Sequence, residues 1–166
     1  MSRLQLAIEQ IVFARNYTVR LLEQTPASEW FRQPPGGVSH IGWQVGHLTN
    51  AQYRLVLLRL RGEQPGDKEL FPEEFPRLFG MNSKPGPDAS LYPSAARIRE
   101  VFDRVHVRVL EEVCRCDPST LHHPINPPHS LAKTRREVLF WCAAHELVHA
   151  GQIGLLRRQL GHAPVW

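Results

Sequence analysis

Apolar residues recur at helical intervals along this chain. Leu4, Ile8, Ile11, Ala14, Val19 and Leu22 follow one another at three-, four- and five-residue steps, and Ile98, Val101, Val105, Val109 and Val113 at three and four. Such spacing lines one face of an α-helix. Strand-type alternation is not sustained anywhere. The fourteen prolines fall in the intervening connectors or at the C-terminus. Proline in a helix interior costs about 3 kcal/mol, so the proline-free tracts are where helices can run. Those tracts span roughly 2–25, 39–62, 94–116 and 134–160.

Each tract carries helix punctuation. Ser2 with Gln5 and Thr134 with Glu137 match the capping box. Ser39 and Ser94 are placed as N-caps, and Gly62 and Gly161 stand where a helix hands over to a left-handed residue. Four long helices in one domain over 1–166 predict an all-α fold, a four-helix bundle. Two connectors are long. Residues 63–93 hold six prolines and the aromatics Phe71, Phe75, Phe79 and Tyr92, which argue for a packed segment, with a short helix over 73–79 despite Pro76. Residues 117–133 hold His122, His123 and His129. Loops of this length are usually functional or disordered.

Composition narrows the classes. No apolar run approaches the roughly 20 residues of a membrane span. The N-terminus lacks a signal peptide's apolar core, so a cytoplasmic location and no membrane partner are expected. Three cysteines are an odd count, suited to a reduced compartment rather than a disulfide framework. The net charge of +4 is mild and the arginines are scattered, so no nucleic-acid partner is expected.

The chemistry concentrates in histidines. His145 and His149 are four residues apart in the last tract. Four residues turn a helix by roughly 400° and advance it by about 6 Å, so both imidazoles point the same way. Both can then reach one cation at a Zn–N distance of about 2.0–2.1 Å. His47 lies on a second-tract face with Trp43, Ala51, Leu55 and Leu58 and supplies a third ligand. Gly42 and Gly46 on the second helix, with Gly151 and Gly154 on the fourth, suggest that these two backbones approach closely beside the histidines.

Several neighbours are candidates for supporting roles. Glu146 completes a His-Glu-x-x-His pattern in which the glutamate is a general base. The metzincin extension is absent, since Gln152 and Leu155 stand where glycine and histidine belong. Asn50, one turn from His47, is placed to touch a metal-bound water or substrate, and Gln152 to orient His149. Cys142, one turn before His145, reads as buried filler.

The segments His40-Ile-Gly-Trp-Gln-Val-Gly-His47-Leu and His145-Glu-Leu-Val-His149-Ala-Gly-Gln-Ile-Gly resemble the DinB/YfiT-like superfamily. The stretch from Leu78 to Met81 is also similar to that family's connector. The resemblance implies a four-helix bundle with a long crossover connection after the second helix, commonly a homodimer. It implies a divalent cation, often nickel or zinc, held by residues matching His47, His145 and His149. It further implies a small-molecule substrate and, from characterised relatives, transfer or isomerisation chemistry using a low-molecular-weight thiol. Three functional readings follow: thiol transfer to a small electrophile, hydrolysis by metal-bound water with Glu146 or a loop histidine as base, and non-catalytic binding of metal or ligand in a stress-linked role.

Overall fold

A computed structural model describes residues 2–165, so the two ends of the 1–166 span lie outside the described residues. Four helical rods build the molecule: α1 (Arg3–Glu23), α2 (Ile41–Gln52) with its continuation, α6 (Ala95–Cys114) and α7 (Arg135–Gln159). The continuation of α2 is a π-helical turn, Tyr53–Leu57, leading into α3 (Leu58–Arg61). Two short helices, α4 (Asp67–Leu70) and α5 (Glu74–Phe79), sit in the first long connector. Among the described residues there is no strand, only an isolated bridge between Pro124 and Thr134.

The termini follow from local chemistry. Thr134 and Glu137 form a reciprocal capping box at α7. Ser94 caps α6 through its hydroxyl. Ser2 caps α1, but Gln5 donates forward to Glu9 and does not close a box. The cap of α2 is His40 and not Ser39: the His40 Nδ1 accepts from the Trp43 N–H, mimicking an asparagine oxygen. Ser39 instead accepts from the Gln44 side chain. Gly62 and Gly161 have φ of 74° and 97°, the left-handed conformation that closes α3 and α7.

α1 packs along α7 and α2 along α6, with α2 also meeting α7 and α5. The valine stripe of α6 is fully buried, and Phe102 joins it. Each such side chain contributes about 1.5–3 kcal/mol by leaving water. On α1 the buried face includes Arg15 and Thr18, which apolar spacing passes over. Arg15 Nε donates to Glu146 Oε1 at 2.7 Å, Nη1 donates to the Phe102 carbonyl at 2.9 Å, and the guanidinium lies 3.3 Å from the Phe102 ring centre. Gln52 donates to the other Glu146 oxygen at 2.9 Å. One buried polar cluster thus joins α1, α2, α6 and α7, with every carboxylate oxygen engaged.

The first connector is packed down by its aromatics, as their clustering suggests. Tyr53 stacks on Phe71, Phe75 meets Phe71 and Phe79 edge-on, and Phe79 stacks on Tyr92. Pro76 is tolerated in α5 because it stands in the first turn, where its missing N–H has no helical acceptor. The helix glycines serve these rings rather than a close approach of α2 to α7. A Cβ on Gly46 would lie 2.4 Å from the Phe79 ring, and one on Gly42 2.6 Å from Phe31. Gly151 faces open space, and a Cβ on Gly154 would meet only Leu21, at 3.9 Å.

Candidate metal centre

α7 presents His145 and His149 one turn apart on the side facing α2, and α2 presents His47 toward them. Their ring centres lie 4.5 Å apart (His145 to His149), 4.6 Å (His47 to His149) and 5.3 Å (His47 to His145). One ring nitrogen from each falls within 4.8 Å of the other two, close enough to share a metal ion. His149 is buried, whereas His47 and His145 are half-buried.

Two of the rings are oriented from behind. His47 Nδ1 lies 2.8 Å from the Phe79 carbonyl. A carbonyl only accepts, so Nδ1 donates and Nε2 keeps its lone pair. His149 Nδ1 lies 2.6 Å from Gln44 Oε1. The Gln44 amide nitrogen donates to Ser39, which turns its oxygen toward His149 and again leaves Nε2 as the ligating atom. This outer layer fixes tautomer and ring plane in metal sites. Trp43 stacks on His47 at 4.8 Å, and its indole N–H donates to Ser83 in the connector.

Burial keeps the three rings neutral, the state that ligates a cation. It pushes His149 down to about 3, with smaller contributions from His145 and His47. It pushes His145 down to about 4, helped by His47 and His129. His47 is also lowered by burial, against the opposing bond to Phe79. Neutral imidazoles, two of them with fixed tautomers, converge from two rods and fit a divalent cation.

A cavity of about 660 Å³ opens over the cluster, lined by His47 and His145 among others. Its walls bring in Asn50, Trp141 and, from the 117–133 loop, His129. Arg59 anchors that loop by donating to the carbonyls of Pro127 and Pro128. A larger groove of about 1050 Å³ between α1 and α7 is lined by Phe13, Leu131 and Leu147 and contains none of the three histidines. Size alone therefore does not locate the chemistry.

The other sequence candidates are placed as follows. Asn50 is buried at the cavity wall. Glu146 points away from solvent into the pair with Arg15 and is 1 % exposed, so it has no free oxygen to serve as a base. Gln152 is exposed and does not orient His149; Gln44 holds that place. Cys142 is buried, and its thiol is pushed well above the ordinary range by burial and then by Glu146. Gln44 and the Phe79 carbonyl escaped the sequence reading. Gln44 leaves one trace: a polar residue one turn before His47 within an otherwise apolar run.

A helical bundle carrying a converged imidazole triad defines a class of proteins suited to binding a divalent metal. The chain belongs to the DinB superfamily, whose family model matches residues 10–153. Comparison with curated proteins finds no match. Among the described residues, no helix is long and apolar enough to cross a membrane.

Proposed function

We propose that this protein is a divalent-metal-dependent enzyme that activates a low-molecular-weight thiol for transfer to a small electrophile. His47, His145 and His149 would hold the cation; three imidazoles suit zinc, nickel, copper and iron alike, and the family resemblance favours nickel or zinc. A bound cation lowers the pKa of a thiol and supplies thiolate at neutral pH. The chain's own residues contribute orientation and exclusion of water. Phe79 and Gln44 fix the ring planes, Trp43 covers one face of His47, and Trp141 walls the cavity. The observation that carries the reading is the cavity over His47 and His145, which leaves a reactant access to the cluster.

The test is elemental analysis of untagged protein, followed by a thiol-transfer assay with several cellular thiols and a model electrophile. One metal per chain and turnover lost in His149→Ala are expected. No metal-dependent turnover with any thiol would overturn the proposal. A second reading, hydrolysis of a small ester or amide, draws support from His129, which lines the same cavity and replaces Glu146 as the available base. It expects His129→Ala to remove hydrolysis while metal content stays unchanged. We also propose that two copies associate, as the family resemblance implies, and the exposed Phe13, Leu131 and Leu147 supply apolar surface for such a contact. Sedimentation should then report twice the 19.0 kDa chain mass.

A further inference from the structure

We propose that the cavity over the histidine cluster selects a small carboxylate-bearing molecule. Its acid group would sit at Arg54 and Arg77 and a hydrogen-bonding group at Asn50. The proposal rests on the reading of the cluster as the reactive end of the site, but its own content is the recognition of charge.

The cavity is lined by three arginines and by no aspartate or glutamate. Many arginines elsewhere find carboxylates, as in Arg61 with Asp67, Arg97 with Glu100 and Arg99 with Asp103. Arg54 and Arg77 make no ion pair and no side-chain hydrogen bond among the described residues, and both are exposed at the cavity. The third, Arg59, is committed to the carbonyls of Arg54, Pro127 and Pro128 and adds charge without a free fork. A guanidinium recognises a carboxylate through two parallel N–H bonds, and clefts of one sign concentrate ligands of the other.

Asn50 supplies an independent observation. It is 6 % exposed, lines the cavity, and its Oδ1 is buried without any partner. Among the described residues no group bonds to this side-chain amide. A buried polar atom in that condition favours whatever brings it a partner. An N–H or O–H on the ligand would do so after a turn of the amide, because the oxygen as it stands is closed off from the cavity.

Between these polar points the walls are mixed, with Leu55, Met81 and Trp141 beside Asn82, Ser83 and Ser130. The volume of about 660 Å³ lies within the range of small-molecule sites, roughly 300–1,000 Å³. The ligand therefore has an acid end, an amide or hydroxyl donor, and a less polar portion that reaches the imidazoles.

The probes are N-acetylcysteine and its neutral amide, which share thiol, length and amide N–H and differ in charge. Calorimetry on metal-loaded protein at low ionic strength should show the acid binding at least about tenfold more tightly than the amide. In Arg54→Gln/Arg77→Gln that ratio should collapse to within about twofold, with bound metal unchanged, because neither arginine touches the cluster. Asn50→Leu should weaken both probes alike and leave their ratio intact. Equal binding of acid and amide by the wild type, or a ratio unchanged in the double variant, would overturn the proposal. Unaltered binding of both probes by Asn50→Leu would overturn the Asn50 contact. Should the protein take up no metal, the enzymatic reading fails. The charge preference is then read on metal-free protein with succinate against succinamide, so the two ideas stand or fall separately.

Discussion

At the scale of single residues, the groups behind the histidines matter as much as the histidines. Gln44 and the Phe79 carbonyl decide which nitrogen of His149 and His47 is free. Removing such an orienting partner usually costs about 10–100-fold in metal affinity. Gln44→Ala should therefore weaken metal binding within that range, read by competition against a chromogenic chelator, while Gln152→Ala should leave it unchanged. The contrast reflects what sequence can carry. His145 and His149 are legible because their relation is local, set by helix pitch. The Phe79 carbonyl leaves no mark in a sequence, since every residue has one. Gln152 was the nearer amide along the chain, but α7 turns it to solvent, and the useful amide comes from α2. The pairing that occupies Glu146 is hidden from local pattern for a related reason: its partner, Arg15, lies 131 residues away.

Among the elements, the rods were readable and their contacts were not. Proline-free tracts and caps located all four long helices to within about two residues, the ordinary uncertainty of helix ends. The glycines were read as a seam between α2 and α7, whereas Gly42 and Gly46 admit the rings of Phe31 and Phe79. Spacing alone cannot distinguish a helix neighbour from a connector ring. Gly46→Ala should destabilise the protein by about 1–3 kcal/mol, as overpacking does, and should also weaken metal binding by displacing the residue whose carbonyl holds His47. Gly151→Ala meets nothing within 4 Å and should stabilise by up to about 1 kcal/mol through its helix propensity. Urea unfolding of both variants, with metal titrations on the first, checks the pair.

For the molecule as a whole, buried histidines couple folding to pH. Burial lowers His40 to about 4 and His106 to about 3, beyond the cluster itself. In the unfolded chain these rings titrate near 6.5. As pH falls below that value, the unfolded state takes up protons that the folded state refuses, so stability drops with it. The loss should accumulate between about pH 6.5 and the folded values of about 4 and 3. Thermal unfolding of metal-free protein across that window should show a falling Tm, with a shallower slope in His106→Asn. Added metal should raise Tm at neutral pH, because it binds only the folded arrangement.

The π-turn at Tyr53–Leu57 separates two jobs along one rod. His47 and Asn50 precede it, Arg54 lies within it and Arg59 follows. Such wide turns hold a residue more than a regular helix would, so trimming one there restores ordinary winding and leaves both flanks in register. A deletion in the ordinary helix on either side would instead swing everything beyond it by about 100°. The wide turn is thus a stretch of this rod where the loss of a single codon is forgiven: the imidazole before it and the guanidinium after it keep their clocking, and only the turn's own side chains are exchanged.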